Sequence, residues 1–204
     1  MSKGVKRFEI QEPKVNPHFI GAWTAQPISL CDEITCFFER NTAKQTKGVT
    51  AGGLNESSKN RTDISITPGD IALPGYEVFK DYFNFLHCCY KDYLDQWTFL
   101  QNFAHTLDIG AFNIGRYNQG QHFNALHTER DLSNLHRFFA FLTYLNDVES
   151  GGSTYFSHYD LEIQPQKGLT LIWPADWTHA HKGNVIMGGS KYIITGWLDL
   201  AERS

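Results

Sequence analysis

The sequence predicts a mainly β fold with supporting α-helices, helical in its first half and strand-rich in its second. Three observations lead there. Apolar residues recur at helical spacing across 29–44 and, in a longer pattern, across 76–103. After about residue 105 the apolar runs turn short, aromatic and β-branched, and Gly or Pro punctuates them. At 204 residues the chain suits one hydrophobic core, and no internal repeat, low-complexity tract or linker divides it. The expected organisation is a single domain over 1–204, with helical support over about 27–105 and a strand core over about 106–200.

Taken in order, residues 1–26 form an extended leading segment with turn residues Pro13, Pro17 and Pro27 around it. In SLCDEITCFFERNTAK, Leu30, Ile34, Phe37 and Phe38 fall on one helix face, Ser29 can cap the start, and Asp32 and Glu33 suit the helix dipole. Residues 45–63 are rich in Gly, Ser, Asn and Lys and read as a long polar loop, followed by a short strand at Ile64–Ile66. The helix from Tyr76 to about Phe103 carries Phe79, Tyr82, Phe83, Leu86, Tyr90, Tyr93, Leu94 and Trp97 without a Pro or Gly, a stripe read as core. Strands are expected over 111–118, 136–146, 161–165, 169–174 and 191–199.

A formal charge of −4 and a pI near 6.1 give no nucleic-acid or anionic-membrane signature. No apolar run is long enough to span a bilayer. The start, MSKGVKRFEIQEPK, lacks the apolar core of a secretion signal, so a cytoplasmic location is expected. Cys31, Cys36, Cys88 and Cys89 have no metal spacing and read as reduced, buried thiols. The glycosylation patterns at Asn55 and Asn60 are then read as chance.

The chemistry concentrates between Gly115 and Glu129. This stretch ends in His127-Thr128-Glu129, and two more histidines, His179 and His181, follow about fifty residues later. An imidazole and a carboxylate two residues apart in extended backbone turn toward the same side. One distant histidine beside them completes two imidazoles and a carboxylate on one face of a metal, the ligand set of non-haem Fe(II) oxygenases. On spacing alone, either His179 or His181 can be that partner.

From Tyr117 onward further residues fall in a recognisable order: His127 and Glu129, Arg137, Tyr144-Leu145-Asn146, Gly151-Gly152, Leu169 to Pro174, His181, Lys191 and Trp197. Over about ninety residues this strongly resembles the 2-oxoglutarate- and Fe(II)-dependent oxygenases, within them the prolyl 4-hydroxylase-like group. The resemblance implies a double-stranded β-helix, a jelly roll of two antiparallel sheets, with the metal inside its mouth. It implies His127, Glu129 and His181 as iron ligands, His181 being favoured over His179 by its ten-residue interval to Lys191. Lys191 would pair with the far carboxylate of 2-oxoglutarate, and Tyr144 and Tyr117 would donate hydroxyls in that pocket. Arg137 and Trp197 would lie near the substrate, as would Arg61, which loosely echoes a substrate-covering loop.

The implied reaction consumes 2-oxoglutarate and O2, with ascorbate as a possible reductant. It releases succinate and CO2 and hydroxylates an unactivated C–H, of a prolyl residue in a peptide or protein. The alternatives are the same chemistry on a free amino acid or other small molecule, or a cupin-type metal protein without 2-oxoglutarate turnover. The family usually carries H-x-D where this chain has Glu129, and Gly120 to His127 is one residue longer than the common spacing, so no contact is assigned to Phe123. Gly151-Gly152 is read as a hairpin turn. His122, His136 and His158 are read as surface, core or loop residues. The stretch from Lys47 to Asp63 is expected to be either a lid with Gly52-Gly53 as its hinge or a solvated insertion without a role.

Overall fold

A computed structural model describes residues 17–49, 53–104 and 106–200. The first half contains β1 (Gly21–Thr24), α1 (Ser29–Arg40), β2 (Thr46–Lys47), β3 (Lys59–Asn60), β4 (Thr62–Ile66) and α2 (Glu77–Gln96). Then come β5 (Leu107–Ile109), β6 (Phe112–Tyr117), β7 (His122–His127), β8 (Arg137–Tyr144), β9 (Ser150–Gly151) and β10 (Thr154–Phe156). The chain closes with β11 (Leu161–Ile163), β12 (Leu169–Pro174), β13 (His181–Gly183), β14 (Ile186–Gly188) and β15 (Lys191–Leu200).

Two antiparallel sheets make the jelly roll. The larger runs β1-β12-β8-β15-β6-β4-β2, with β5 also on β15, and the smaller runs β11-β10-β13-β7-β3. The strand-rich half therefore borrows β1, β2, β3 and β4 from the first half. β1 lies in the segment read as merely extended, and its pairing with β12, Gly21 to Ile172 through Thr24 to Leu169, makes it an edge strand.

Strand alternation sets the two cores. On β15, Ile194 and Leu198 join the core against α1 and α2, while Lys191, Ile193, Thr195 and Trp197 line a cavity between the sheets. On β8, Phe139 and Phe141 face the helices, and Ala140, Leu142 and Tyr144 face the inner core. Aromatic rings hold the helices to the sheet: Phe79 on Phe112 (5.5 Å between centroids), Tyr93 on Phe139 (5.2 Å) and Phe38 on Tyr192 (5.9 Å). The stripe on α2 is core, as expected. Burying each such ring contributes about 1.5–3 kcal/mol relative to leaving it exposed.

Both helices are shorter than their apolar patterns. α1 ends at Arg40, and α2 ends at Gln96 before a 3-10 turn at Thr98–Asn102. Ser29 does not cap α1: it is the first helical residue, and the capping position falls on Ile28, whose side chain has no hydrogen-bonding atom, while the Leu30 amide bonds Pro27 O at 3.2 Å. Of the cysteines, Cys31 and Cys89 are buried, whereas Cys36 and Cys88 are exposed, and all four are free thiols.

Gly196 sits where β15 crosses Phe141 and Phe112. A Cβ there would lie 2.7 Å from Phe141 Cζ and 2.8 Å from Phe112 Cβ. Gly196→Ala should therefore destabilise the fold by about 1–3 kcal/mol, the usual range for overpacking. Calorimetry should show Tm falling by roughly 2–4 °C per kcal/mol for a chain of this size. An unchanged Tm would mean the rings move aside freely.

Candidate metal centre

The register between β13 and β7 sets His181 directly opposite His127. Their rings stand 4.4 Å apart at 53°. Glu129 lies two residues past His127, where the chain is pinned to the end of β12: Thr128 Oγ1 and the Arg130 amide both donate to Ala175 O (2.8 and 2.9 Å). Its Oε1 is 3.6 Å from His127 Nε2 and 3.3 Å from His181 Nε2, and one ligand atom from each residue lies within 4.8 Å of the others.

The chemistry of this donor set fits a divalent metal. His127 Nδ1 is 2.9 Å from Ala125 O and His181 Nδ1 is 2.9 Å from His179 O. A carbonyl can only accept, so each ring keeps its proton on Nδ1 and turns a lone pair inward from Nε2. Burial raises the Glu129 carboxyl; without a metal, hydrogen bonds and charge from protonated His127 and His181 outweigh it and hold the group well below its usual range, a part that a divalent cation plays once both rings are neutral. Two neutral imidazoles and one ionised carboxylate are the set that selects non-haem Fe(II).

His179 is not part of this group. Its Nε2 lies 2.8 Å from His18 O and 3.4 Å from the Tyr159 hydroxyl, in a separate buried cluster. The start of the strand explains the choice: His181 opens β13 opposite His127, while His179 lies in the 3-10 turn before it, where its ring meets His18 O.

Arg137 and Trp197, expected near a substrate, both hold Glu129. Trp197 Nε1 donates to Glu129 Oε2 at 2.7 Å, and Arg137 Nη1 donates to Glu129 O at 3.1 Å. The Arg137 guanidinium lies 3.5 Å from the centre of the Trp197 ring. Both also face an open groove of about 750 Å³ beside the centre. Trp197→Phe should weaken divalent-metal binding by about 10–100-fold, as losing a ligand's supporting bond commonly does. Titration with Co(II) would measure it, and unchanged affinity would reduce Trp197 to packing.

The narrow cavity at the triad, about 80 Å³, holds three cations: Lys59, Arg61 and Lys191. They are 8%, 6% and 3% exposed, so their charges need partners. Lys191 Nζ donates to Gly152 O at 2.7 Å and lies 4.4 Å from the Tyr117 ring centre. Among the described residues no carboxylate lies within 4 Å of it. Burial, then the charge on Arg61, push its pKa down to about 7. Gly151-Gly152 is not a hairpin turn: β9 pairs with β14, and Gly152 (φ +73°) supplies the carbonyl that holds Lys191.

Tyr117 also lines the cavity and accepts a bond from Arg61 Nη1 at 2.8 Å. Tyr144 is set back. It is fully buried, its hydroxyl is 2.6 Å from Thr154 Oγ1, and Thr154 forms the wall at that point.

Sequence reasoning missed Lys59, Asp63 and Phe123, and it placed Arg61 on a mobile loop. Residues 59–63 are instead built into both sheets. β4 pairs with β6, Asp63 opposite Gly115, and β3 pairs with β7, Lys59 opposite Phe123. Arg61 Nε meets Asp63 Oδ1 at 2.6 Å, an ion pair that hydrogen-bond angles do not describe, and Lys59 Nζ stands 3.4 Å from Asp63 Oδ2. Gly115 makes room: a Cβ would stand 3.0 Å from Asp63 Oδ1 and 3.2 Å from Arg61 Cζ. The signal was present as a period-two pattern, with Arg61 and Asp63 facing in and Ile64 and Ile66 facing the helices. Phe123 stacks on His127, centroids 4.0 Å apart at 16°. Of the expected hinge, Gly52 lies outside the described residues.

Residues 112–199 match the sequence profile of the 2OG-Fe(II) oxygenase superfamily. Over this stretch the chain is similar to 2OG-Fe(II) oxygenases, and the curated relatives it resembles are prolyl 4-hydroxylases. Probable prolyl 4-hydroxylase 9 of Arabidopsis thaliana is 30% identical over 115 residues, 43% of this chain and 40% of that one. Prolyl 4-hydroxylase subunit alpha-2 of Gallus gallus is 31% identical over 68 residues, 30% of this chain and 13% of that one. The match thus spans less than half of each of these relatives. Among solved structures, a Pseudomonas putida prolyl-4-hydroxylase superposes with TM-score 0.68 at 17% identity, covering 90% of this chain and 94% of the other. A Trichoplax adhaerens prolyl hydroxylase, solved with a hypoxia inducible factor peptide fragment, gives 0.69 at 17% identity, over 90% and 84%. These likenesses show the jelly-roll fold. No helix among the described residues is long and apolar enough to cross a membrane.

Proposed function

We propose that this chain is a 2-oxoglutarate-dependent Fe(II) hydroxylase acting on a prolyl residue of a peptide or protein, with succinate and CO2 released. The observation that carries this is the triad itself, with both Nδ1 atoms tied to backbone carbonyls so that both Nε2 lone pairs converge on Glu129. His127, Glu129 and His181 would hold Fe(II) on one face and leave open positions on the other. When bound, Fe(II), 2-oxoglutarate and O2 supply the oxidation of the C–H bond.

The residues of this chain bind, orient and exclude water. Lys191, the inner cation with no carboxylate partner among the described residues, pairs with the distal carboxylate of the cosubstrate. Burial raises the Tyr117 hydroxyl, so it keeps its proton, and because it accepts from Arg61 it can donate that proton into the cavity. Thr154, oriented by Tyr144, offers a second hydroxyl. Phe123, Leu142, Trp173 and Ile193 keep water from the remaining wall. The neighbouring groove is large enough for an extended peptide, which the narrow cavity is not. Prolyl peptides are favoured by the prolyl 4-hydroxylase relatives.

The test is succinate formation from 2-oxoglutarate with and without Fe(II), beside mass spectrometry of proline-containing peptides. The reading expects Fe(II)-dependent succinate and a gain of one oxygen on a prolyl residue. No Fe(II)-dependent succinate would sink the reaction class. Succinate with oxygen gained only on a free amino acid would move the substrate to a small molecule.

A further inference from the structure

The cations around the cavity outnumber what the reaction above can neutralise. Among the described residues, Lys59, Arg61 and Lys191 have two carboxylates to face at the cavity, Asp63 and Glu129. Glu129 belongs to the metal centre. Fe(II) and the 2-oxoglutarate dianion cancel one another, so loading the site leaves one positive charge over. Burying an uncompensated charge is expensive, and such a site is completed by a ligand that brings the missing anion.

Geometry identifies the cation. Arg61 meets Asp63 at 2.6 Å and bonds Tyr117, and Lys191 is the deep one beside Gly152. Lys59 has the weaker share of Asp63, at 3.4 Å, and its other bond is to a neutral carbonyl, Val49 O at 2.8 Å. It lines both the narrow cavity and the open groove. Its Nζ is 5.4 Å from the Phe123 ring centre, which is 4.0 Å from that of His127, so it lies no more than 9.4 Å from the His127 ring. A carboxylate held at Lys59 would leave the rest of a small residue lying across Phe123 toward the metal face. Burial, then the charge on Arg61, lower the Lys59 pKa to about 8, in keeping with a cation short of counter-charge.

Resting on the hydroxylase reading, we propose that Lys59 is the anchor for a carboxylate carried by the substrate, and hence that this site selects acidic substrates. The carboxylate is either the α-carboxylate of a free amino acid or peptide C-terminus, or an acidic side chain next to the target.

The experiment uses the full chain loaded with Zn(II) and 2-oxoglutarate, so that nothing turns over, with binding read by calorimetry. Three matched pairs separate the sources: proline against prolinamide, Ala-Pro-Ala against its C-terminal amide, and acetyl-Ala-Pro-Asp-amide against its Asn counterpart. In at least one pair the carboxylate member should bind about tenfold more tightly or better, as a charge-assisted contact in a partly dry site allows. That preference should fall within twofold in Lys59→Met and persist in Lys59→Arg. Pairs that bind equally in the unaltered protein, including not at all, overturn the proposal without relying on any variant. So does a preference that survives undiminished in Lys59→Met. Two measurements on the unaltered protein keep the failures apart: 2-oxoglutarate binding, and Fe(II)-dependent succinate formation. If both are absent, the hydroxylase reading fails. If both are present while every pair is equal, only the carboxylate anchor fails.

Discussion

Alanine at His127, Glu129 or His181 should each abolish Fe(II)-dependent consumption of 2-oxoglutarate, while His179→Ala retains most of it. The loss should exceed about 100-fold, the upper end for residues that merely support a ligand. Each of the three supplies one of a set of atoms lying within 4.8 Å of one another. His179 instead meets His18 O at 2.8 Å and contributes nothing to the set. Co(II) titration gives an independent readout, since removing a ligand should lower metal affinity even where turnover cannot be measured. An inactive, metal-free His179→Ala beside an active His181→Ala would overturn the assignment. Glu129→Asp is informative too: the shorter arm would have to reach the metal while giving up its 2.7 Å bond from Trp197, and activity should fall without vanishing.

Lys191→Ala should raise the KM for 2-oxoglutarate by roughly two to four orders of magnitude. Losing one partner of a buried ion pair costs about 3–5 kcal/mol, and each 1.4 kcal/mol is about tenfold. Lys191→Arg should do less harm, because the charge survives although the guanidinium is bulkier. The pH dependence has a definite sign. With the Lys191 pKa near 7, the protonated partner for a carboxylate is lost as pH rises past that value. KM should therefore climb between about pH 7 and 9 in the unaltered protein and stay flatter in Lys191→Arg, whose guanidinium remains charged. The same shift bears on stability without ligand. The unfolded chain keeps this proton up to about 10.5 and the folded chain gives it up near 7, so stability should rise with pH across that window. A KM unaffected by Lys191→Ala would remove the cosubstrate role.

Local pattern carried much of this protein. The apolar stripe of α2 and the aromatic, β-branched segments that became β6, β8, β12 and β15 were legible because an element buried on one face must repeat with its own period. The H-x-E pair was legible for the same reason, since two residues on one side of an extended backbone need no tertiary information. What stayed hidden is what pairing across long distances decides. Spacing within the cluster left His179 and His181 open; the family resemblance favoured His181, and the register of β13 against β7 is what sets it opposite His127. Lys59, Arg61 and Asp63 looked like loop because polar residues usually mean solvent, yet β3 and β4 hold them toward a cavity where Gly115 leaves space and the cations share one carboxylate. Arg137 and Trp197, expected near the substrate, do face the open groove, and only the fold shows that they also hold Glu129. The sequence alone determined which faces are apolar and which side chains can bind a metal. Only the tertiary structure decided which charges meet, because an ion pair inside a sheet sandwich depends on strand register, and register is set by contacts far apart in the chain.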